Sequence, residues 1–252
     1  MFKVFLNSFF IQSAWSFEKM QGLGFAAAIA PAINDIYKDT DRINEAMKRH
    51  TVFYNAHPYM ASPILGAVIK MEEEVKEGKR DAKDIASFKE NLVGPYGAIG
   101  DTFFWGSIRP FASVLGIISA IFWDLWGHLV FLVIYNIFHL WMRWFGLYKG
   151  YKLGENVVAH IKSLSLPQWV LRVRLITAGI LGGVVAGVVL KGMHIAMGQT
   201  VQVYQIFLAA ILAAVLVVLS AAIMRNRVSI LMAIYLLFLP AFIFFIMMGI
   251  IK

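Results

Sequence analysis

The stretch FYNAHPYMASPILGAVIKMEEE (residues 53–74) decides how the chain is read. It is mostly apolar, yet Asn55 and His57 sit inside it, Pro58 and Pro63 interrupt it, and three glutamates close it. Each proline would remove a hydrogen bond from a continuous helix and leave carbonyls unpaired. At the water interface this describes a loop with a capping asparagine. At membrane depth, non-helical backbone survives only inside protein or beside a polar cavity. There the same residues describe a broken helix like those that line transporter sites.

Composition chooses between the settings. The 252 residues are 60% hydrophobic and only 15% charged, where soluble domains carry about a quarter charged residues. Mean hydropathy is +0.69. The reading is an all-α integral membrane protein, with several transmembrane helices, short re-entrant or broken helices, and an N-terminal amphipathic interface helix. Residues 1–101 hold twelve basic and thirteen acidic residues, and the rest hold eleven basic against two acidic, Asp124 and Glu155. The net charge of +8 therefore lies in loops between apolar segments, which reports membrane orientation. Dispersed in this way, it does not point to nucleic acid. The chain has no cysteine, which excludes disulfides and thiolate metal sites.

Working outward, residues 1–20 place Phe2, Leu6, Phe9, Phe17 and Met20 on one helical face with Asn7 and Glu18 opposite, and are expected to lie in the membrane surface. Residues 22–33 are a dozen apolar positions, a length that fits a re-entrant segment. Residues 21–109 as a whole are read as re-entrant or broken helices mixed with charged, water-facing ones. The apolar stretch 110–147 is interrupted by WDLWGH at 123–128 and is read as a helical hairpin. Residues 148–172 form a basic loop, and the stretch 143–174, with six basic residues and one acid, is placed in the cytoplasm by the positive-inside rule. Three spans follow within 173–252, at 173–190, 204–224 and 230–251, each meeting the requirement of roughly 17–25 apolar residues. That count puts the C-terminus outside.

Enzyme chemistry finds no support in the spacing. GLGFAA at Gly22 lacks a preceding strand and the third glycine of a dinucleotide fingerprint. His128 and His139 are eleven residues apart, about three helical turns, too far to share a metal. No catalytic residue, metal or cofactor is expected. A second unusual stretch is NLVGPYGAIGDTFFWGSIRPF (residues 91–111). Gly94, Gly97 and Gly100 read as turns, and Asp101 as the end of a glycine-rich loop. Trp105 and Arg109 follow at spacings of four, so a helix from Asp101 puts all three on one face. They read either as a helix cap, an interfacial tryptophan and a cytoplasmic arginine, or as groups that bind hydroxyls beside a stacking ring.

The segments LGFAAAIAPAI, FYNAHPYMASPILGAVIKMEEE, GPYGAIGDTFFWGSIRP and NIFHLWMRWFGLYKGYKLGENV occur in this order. Together the chain resembles the IID membrane component of the mannose/fructose/sorbose-type bacterial phosphotransferase system, most densely as far as Val157. The family's motif positions fall on Asn55, His57 and Pro58, on Glu72 and Glu73, and on Gly100, Asp101, Trp105, Arg109 and Pro110. Ala56 stands where threonine is expected and Tyr96-Gly97 where the family often has Leu-Ala, which leaves the sugar open.

The resemblance implies a subunit of the bacterial inner membrane that pairs with a IIC chain as a hetero-oligomer in the lipid bilayer. The pair translocates a hexose or amino sugar while IIA and IIB proteins relay phosphate to it. The phosphorylated histidines belong to those partners, so no phosphorylated residue is expected on this chain. Asn55, His57, Pro58, Asp101, Trp105 and Arg109 are then substrate-path or structural signatures, and Glu72 and Glu73 candidate partner contacts. The alternative is an assembly subunit that scaffolds the IIC channel and touches no sugar.

Overall fold

The computed structural model describes residues 1–197, and the expected spans at 204–224 and 230–251, like the outside placement of the C-terminus, lie outside them. The chain divides into two compact units, Met1–Thr177 and Ala178–Lys252. Among the described residues every regular element is helical.

A short helix α1 (Phe2–Asn7) runs into a tight 3-10 turn at Ser8–Phe10. Helix α2 (Gly22–Ile36) is apolar and largely buried. At fifteen residues it is shorter than the roughly 17 needed to span. Helix α3 (Thr40–His50) is charged, with Asp41 in its first turn and Lys48, Arg49 and His50 in its last, an order that complements the helix dipole. Helix α4 (Ala61–Lys76) is buried from Ala61 to Ile69 and again at Met71 and Glu72. Gly78, at φ +75°, turns the chain out of it. Helix α5 (Ala82–Gly100) starts at an N-cap, with the Asp81 side chain accepting from the Lys83 amide at 2.9 Å.

Pro63 does not break a helix. It lies in the first turn of α4, where amides have no intrahelical acceptor and proline is tolerated. The break is confined to residues 51–60, around Pro58.

The stretch expected as a glycine-rich loop is helical throughout. After α5 the chain continues through a wide π-helical segment (Asp101–Ile108) into α6 (Arg109–Trp123). Asp101, at φ −59° and ψ −45°, is inside the helix rather than capping it. Side chains take up carbonyls along these wide turns. The hydroxyls of Thr102 and Ser107 donate to Ala98 O (2.7 Å) and Thr102 O (2.9 Å), and Arg174 Nε donates to Gly106 O (3.0 Å). Gly100 is needed for proximity, since a Cβ there would collide with Cβ and Cγ of His57.

A turn at Asp124 joins α6 to α7 (Trp126–Leu153), followed by a 3-10 turn (Gly154–Asn156), α8 (Val157–Ser163) and α9 (Leu166–Met197). Two helical stretches, Ala82–Trp123 and Trp126–Val185, are long and apolar enough to cross a membrane. Exposed apolar side chains such as Ile121, Leu132, Val133 and Trp144 run along them. Helix α4 is the pillar of the first unit, and its most extensive interface is with α7.

Candidate functional site

The break at 51–60 is held by backbone bonds to the turn before α2. Gln21 N donates to Tyr54 O at 2.8 Å, Tyr54 N donates to Lys19 O at 3.3 Å, and Ala56 N donates to the Gln21 side-chain carbonyl at 3.3 Å. This splits the two polar residues that the sequence sets side by side. Asn55 is exposed, while His57 is 2% exposed and Pro58 is buried.

His57 sits among aromatic rings. It stacks on Phe104 at 5.1 Å between centroids and 14° between planes, and meets Trp105 and Tyr59 edge-on, each at 4.8 Å. Its Nδ1 accepts from the Tyr59 amide at 3.3 Å, so Nε2 carries the proton of the neutral ring. That atom is buried with no partner among the described residues. Burial, and then the positive charge of Arg143 and the His139 ring, lower the His57 pKa to about 3. Among the described residues no acid or nucleophile is hydrogen-bonded to this ring.

Beyond Tyr59 the polar atoms form a directed chain on α7. Tyr59 Oη lies 3.0 Å from Tyr135 Oη, and its ring packs on His139 at 4.0 Å. Arg143 Nε donates to His139 Nε2 at 2.8 Å, which leaves the His139 proton on Nδ1 facing Asn136 Oδ1 at 3.2 Å. Arg143 Nη1 donates to the Ser8 hydroxyl at 2.9 Å and to the Ser8 carbonyl. The guanidinium also lies over the rings of Phe9 and Tyr59 at 4.7 and 5.1 Å. One buried arginine thus ties the N-terminal turn, the break and α7 together. The i,i+4 spacing of Tyr135, His139 and Arg143 was present in the sequence, but periodicity does not say which face of an all-apolar helix is inside.

Asp101 and Trp105 of the π-helical segment and Arg109 at the start of α6 are all exposed, alternating with buried Phe103, Phe104, Ser107 and Ile108. No ion pair joins Asp101 to Arg109 among the described residues. Trp105 connects this face to the interior, because its ring meets His57.

Glu72, read from sequence as a candidate partner contact, is wholly buried. Its Oε1 accepts from Arg49 Nε at 2.7 Å and His50 Nε2 at 2.9 Å, and its Oε2 accepts from Tyr37 Oη at 2.8 Å and Arg49 Nη2 at 3.2 Å. The carboxylate is therefore a junction of α2, α3 and α4, sealed by the packing of three helices that linear charge patterning does not reveal. Glu73, half-buried, accepts from Tyr151 Oη at 2.8 Å and Lys70 Nζ at 3.3 Å.

Burial alone would raise the Glu72 pKa, but the bonds from His50 and Arg49 bring it down to about 2. Burial lowers the pKa of His50 to about 4 despite its bond to Glu72. Both shifts act in one direction. The unfolded chain protonates His50 near pH 6.5 and the folded chain only near 4, so stability falls as pH drops through that window. Glu72 adds a further loss between about 4.5 and 2. Melting temperature followed by tryptophan fluorescence should decline steadily below pH 6.5, with His50 accounting for up to about 3 kcal/mol. His50→Gln should flatten the upper part of the curve, and a wild-type profile flat from pH 7 to 4 would contradict the assignment.

A family model described as the PTS system mannose/fructose/sorbose family IID component matches residues 1–251. The chain is 38% identical over 157 residues to the mannose-specific EIID component of Escherichia coli K12, covering 62% of this chain and 56% of that one. It is 35% identical over 158 residues to the fructose permease IID component of Bacillus subtilis, covering 62% and 58%. The aligned stretch thus spans little more than half the length of these curated relatives. Among solved structures, one described as a membrane protein superposes with a TM-score of 0.67 at 27% identity, covering 98% of this chain and 93% of that one. The cryo-EM structure of the mannose transporter ManYZ in complex with Microcin E492 superposes with a TM-score of 0.58 at 26% identity, again covering 98% and 93%.

Proposed function

Since the chain belongs to the mannose/fructose/sorbose family of phosphotransferase-system IID components, we propose that it forms, with a IIC subunit, the inner-membrane unit that imports a hexose. The sugar is phosphorylated on delivery by IIA and IIB, and this chain is a non-catalytic subunit that carries no phosphate. The observation that carries this reading is the likeness to a mannose transporter over 98% of the chain. Relatives named for mannose, fructose and sorbose leave the particular hexose or amino sugar open. Residues 1–252 act as one IID component. Residues 1–20 lie in the membrane interface, residues 204–224 and 230–251 add spans, the basic stretch 143–174 faces the cytoplasm, and the C-terminus faces outside.

In this reading Asp101, Trp105 and Arg109 are the contact face for IIC, supported by their joint exposure and by the lack of an ion pair between Asp101 and Arg109 among the described residues. His57 and Pro58 hold the break in shape, and Asn55 is the polar group left accessible at its mouth. Glu73 is the available carboxylate for a cytoplasmic partner, while Glu72 staples the helices behind it. The burial of His57 also favours a second reading, an assembly subunit that makes no sugar contact.

Uptake in a strain lacking its own system but supplied with IIC, IIA and IIB tests these readings. Asp101→Asn should lower uptake severalfold while membrane insertion is kept, and unchanged uptake would remove Asp101 from the contact. Asn55→Ala should raise KM if Asn55 touches sugar and leave KM alone if the chain only scaffolds. Radiolabelled phosphate entering through the complete relay should stay off this chain, and label on His57 would overturn its non-catalytic role.

A further inference from the structure

At two prolines within helices, a distant side chain sits on the carbonyl that the proline leaves free. Pro31 lies inside α2. An amide at that position would bond the carbonyl one turn before it, and proline has no N–H to give. That carbonyl, of Ala27, accepts instead from Asn7 Nδ2 of α1 at 3.2 Å. Pro110 follows the first residue of α6, but the helix does not begin there. The π-helical segment runs straight into it, with Ile108 and Arg109 already in helical conformation. The missing amide is therefore a gap in a continuous helix, and the α-helical acceptor left without a donor is Gly106 O.

Arg174 of α9 fills this gap. Its Nε donates to Gly106 O at 3.0 Å and to the Ser107 hydroxyl at 3.2 Å. The same hydroxyl donates onward to Thr102 O at 2.9 Å. One guanidinium thus supports a carbonyl near the end of the segment directly and one near its start through Ser107. Arg174 makes no ion pair with a carboxylate among the described residues. It stands immediately before the apolar run 175–190, a setting in which arginine is costly and pairs with groups such as backbone carbonyls.

The neighbouring residues fit this arrangement. A Cβ at Gly106 would come within 2.6 Å of Arg174 Nη2, so glycine leaves open the space that the guanidinium occupies. Wide π turns are rare and often mark functional positions. Pro110 denies the segment the α-type bond that would tighten it, and Arg174 satisfies the carbonyl so released. Each residue has a use only in the presence of the other.

We propose that Arg174 is a positioning residue, a pin on α9 that takes the place of the amide missing at Pro110 and holds the π-helical segment in its wide form. What it positions is the run from Asp101 to Arg109. Phe104 and Trp105 of this run meet the His57 ring, and Asp101, Trp105 and Arg109 are its exposed members. That these exposed residues meet a IIC subunit rests on the reading above, whereas the pin itself does not.

Hydrogen–deuterium exchange of the full chain in detergent, compared across wild type, Arg174→Ala, Pro110→Ala and the double variant, tests it. Arg174→Ala should speed exchange over residues 102–111 about tenfold or more, the fold-change of one hydrogen bond from a charged donor. Helix α4 should stay protected. In the Pro110→Ala background the new amide supplies the bond, so the same substitution should change exchange about twofold or less. A role in charge or packing alone would act equally in both backgrounds. No acceleration in Arg174→Ala, or equal acceleration with and without Pro110, would overturn the proposal. If Arg174→Ala alone fails to fold, Pro110→Ala must restore it, and a double variant that also fails overturns the proposal equally. Recovery of a IIC subunit with the tagged chain separates the two readings, and Arg174→Ala should lower it severalfold. Accelerated exchange with unchanged IIC recovery keeps the pin and removes the Asp101–Arg109 face from the IIC contact.

Discussion

Glu72→Ala is expected to lower the stability of the folded chain by about 3–5 kcal/mol, the range for removing one partner of a buried ion pair. The Glu72 carboxylate is the shared acceptor for Arg49, His50 and Tyr37. Without it, the Arg49 guanidinium keeps only the exposed Glu45 at 3.4 Å. The buried Lys89 ammonium, 4.5 Å from the Phe25 ring centroid and 3.5 Å from the Arg49 carbonyl, then loses the nearest screening negative charge. Three helices lose their common anchor while the positive charges stay buried. Glu72→Gln keeps the shape and two acceptor directions but not the charge, so it should fall between Ala and wild type. Thermal unfolding in detergent measures this, and equal melting of wild type and Glu72→Ala would show that the cluster contributes nothing net.

Gly150→Leu is the second large effect, expected at about 3 kcal/mol or more, at or beyond the upper end of ordinary overpacking. Gly146 and Gly150 lie one helical turn apart on α7 and face Pro63 and Ala67 of α4. A Cβ at Gly150 would meet the Pro63 carbonyl and come within 3.0 Å of Ala67 N. These are backbone atoms, so no side chain can rotate away and the helices must part. In a bilayer, helix association depends on such close packing, because lipid tails offer the same apolar contact. The contrasting substitution is Gly94→Ala, where an added Cβ meets nothing within 4 Å. There the gain in helix propensity, about 1 kcal/mol, should leave stability equal or raised. If Gly150→Leu assembles with IIC and melts like wild type, the α4–α7 contact is not what holds the first unit together.

These two sites show what was legible and what was not. The IID motifs, the apolar helices and the weight of positive charge in the second half followed from composition and word order. The glycines did not read correctly. Those at 94, 97 and 100 look like turns in the sequence but form part of a continuous helix, with Gly100 chosen for its closeness to His57. Gly146 and Gly150 carry the tight packing, yet they sit inside an aromatic-rich run where small size is easily overlooked. Similarly, Glu72, Glu73 and Glu74 are identical letters in a row, and the structure gives them three environments: a buried junction, a half-buried bond to Tyr151, and an ion pair with Arg80 at 2.7 Å.

By itself the sequence determined that the chain is a helical membrane protein, because transfer of apolar side chains from water and the length of apolar runs are properties of the chain alone, and its ordered motifs carried the resemblance to the IID family. Only the tertiary structure decided that Asn55 faces out while His57 faces in, and that His57 meets Phe104 and Trp105. It also decided that Arg143 reaches back to Ser8. Such pairings depend on which faces of helices distant in sequence come to lie together. Where nearly every face is apolar, periodicity does not distinguish the inner face from the one that meets lipid or a partner.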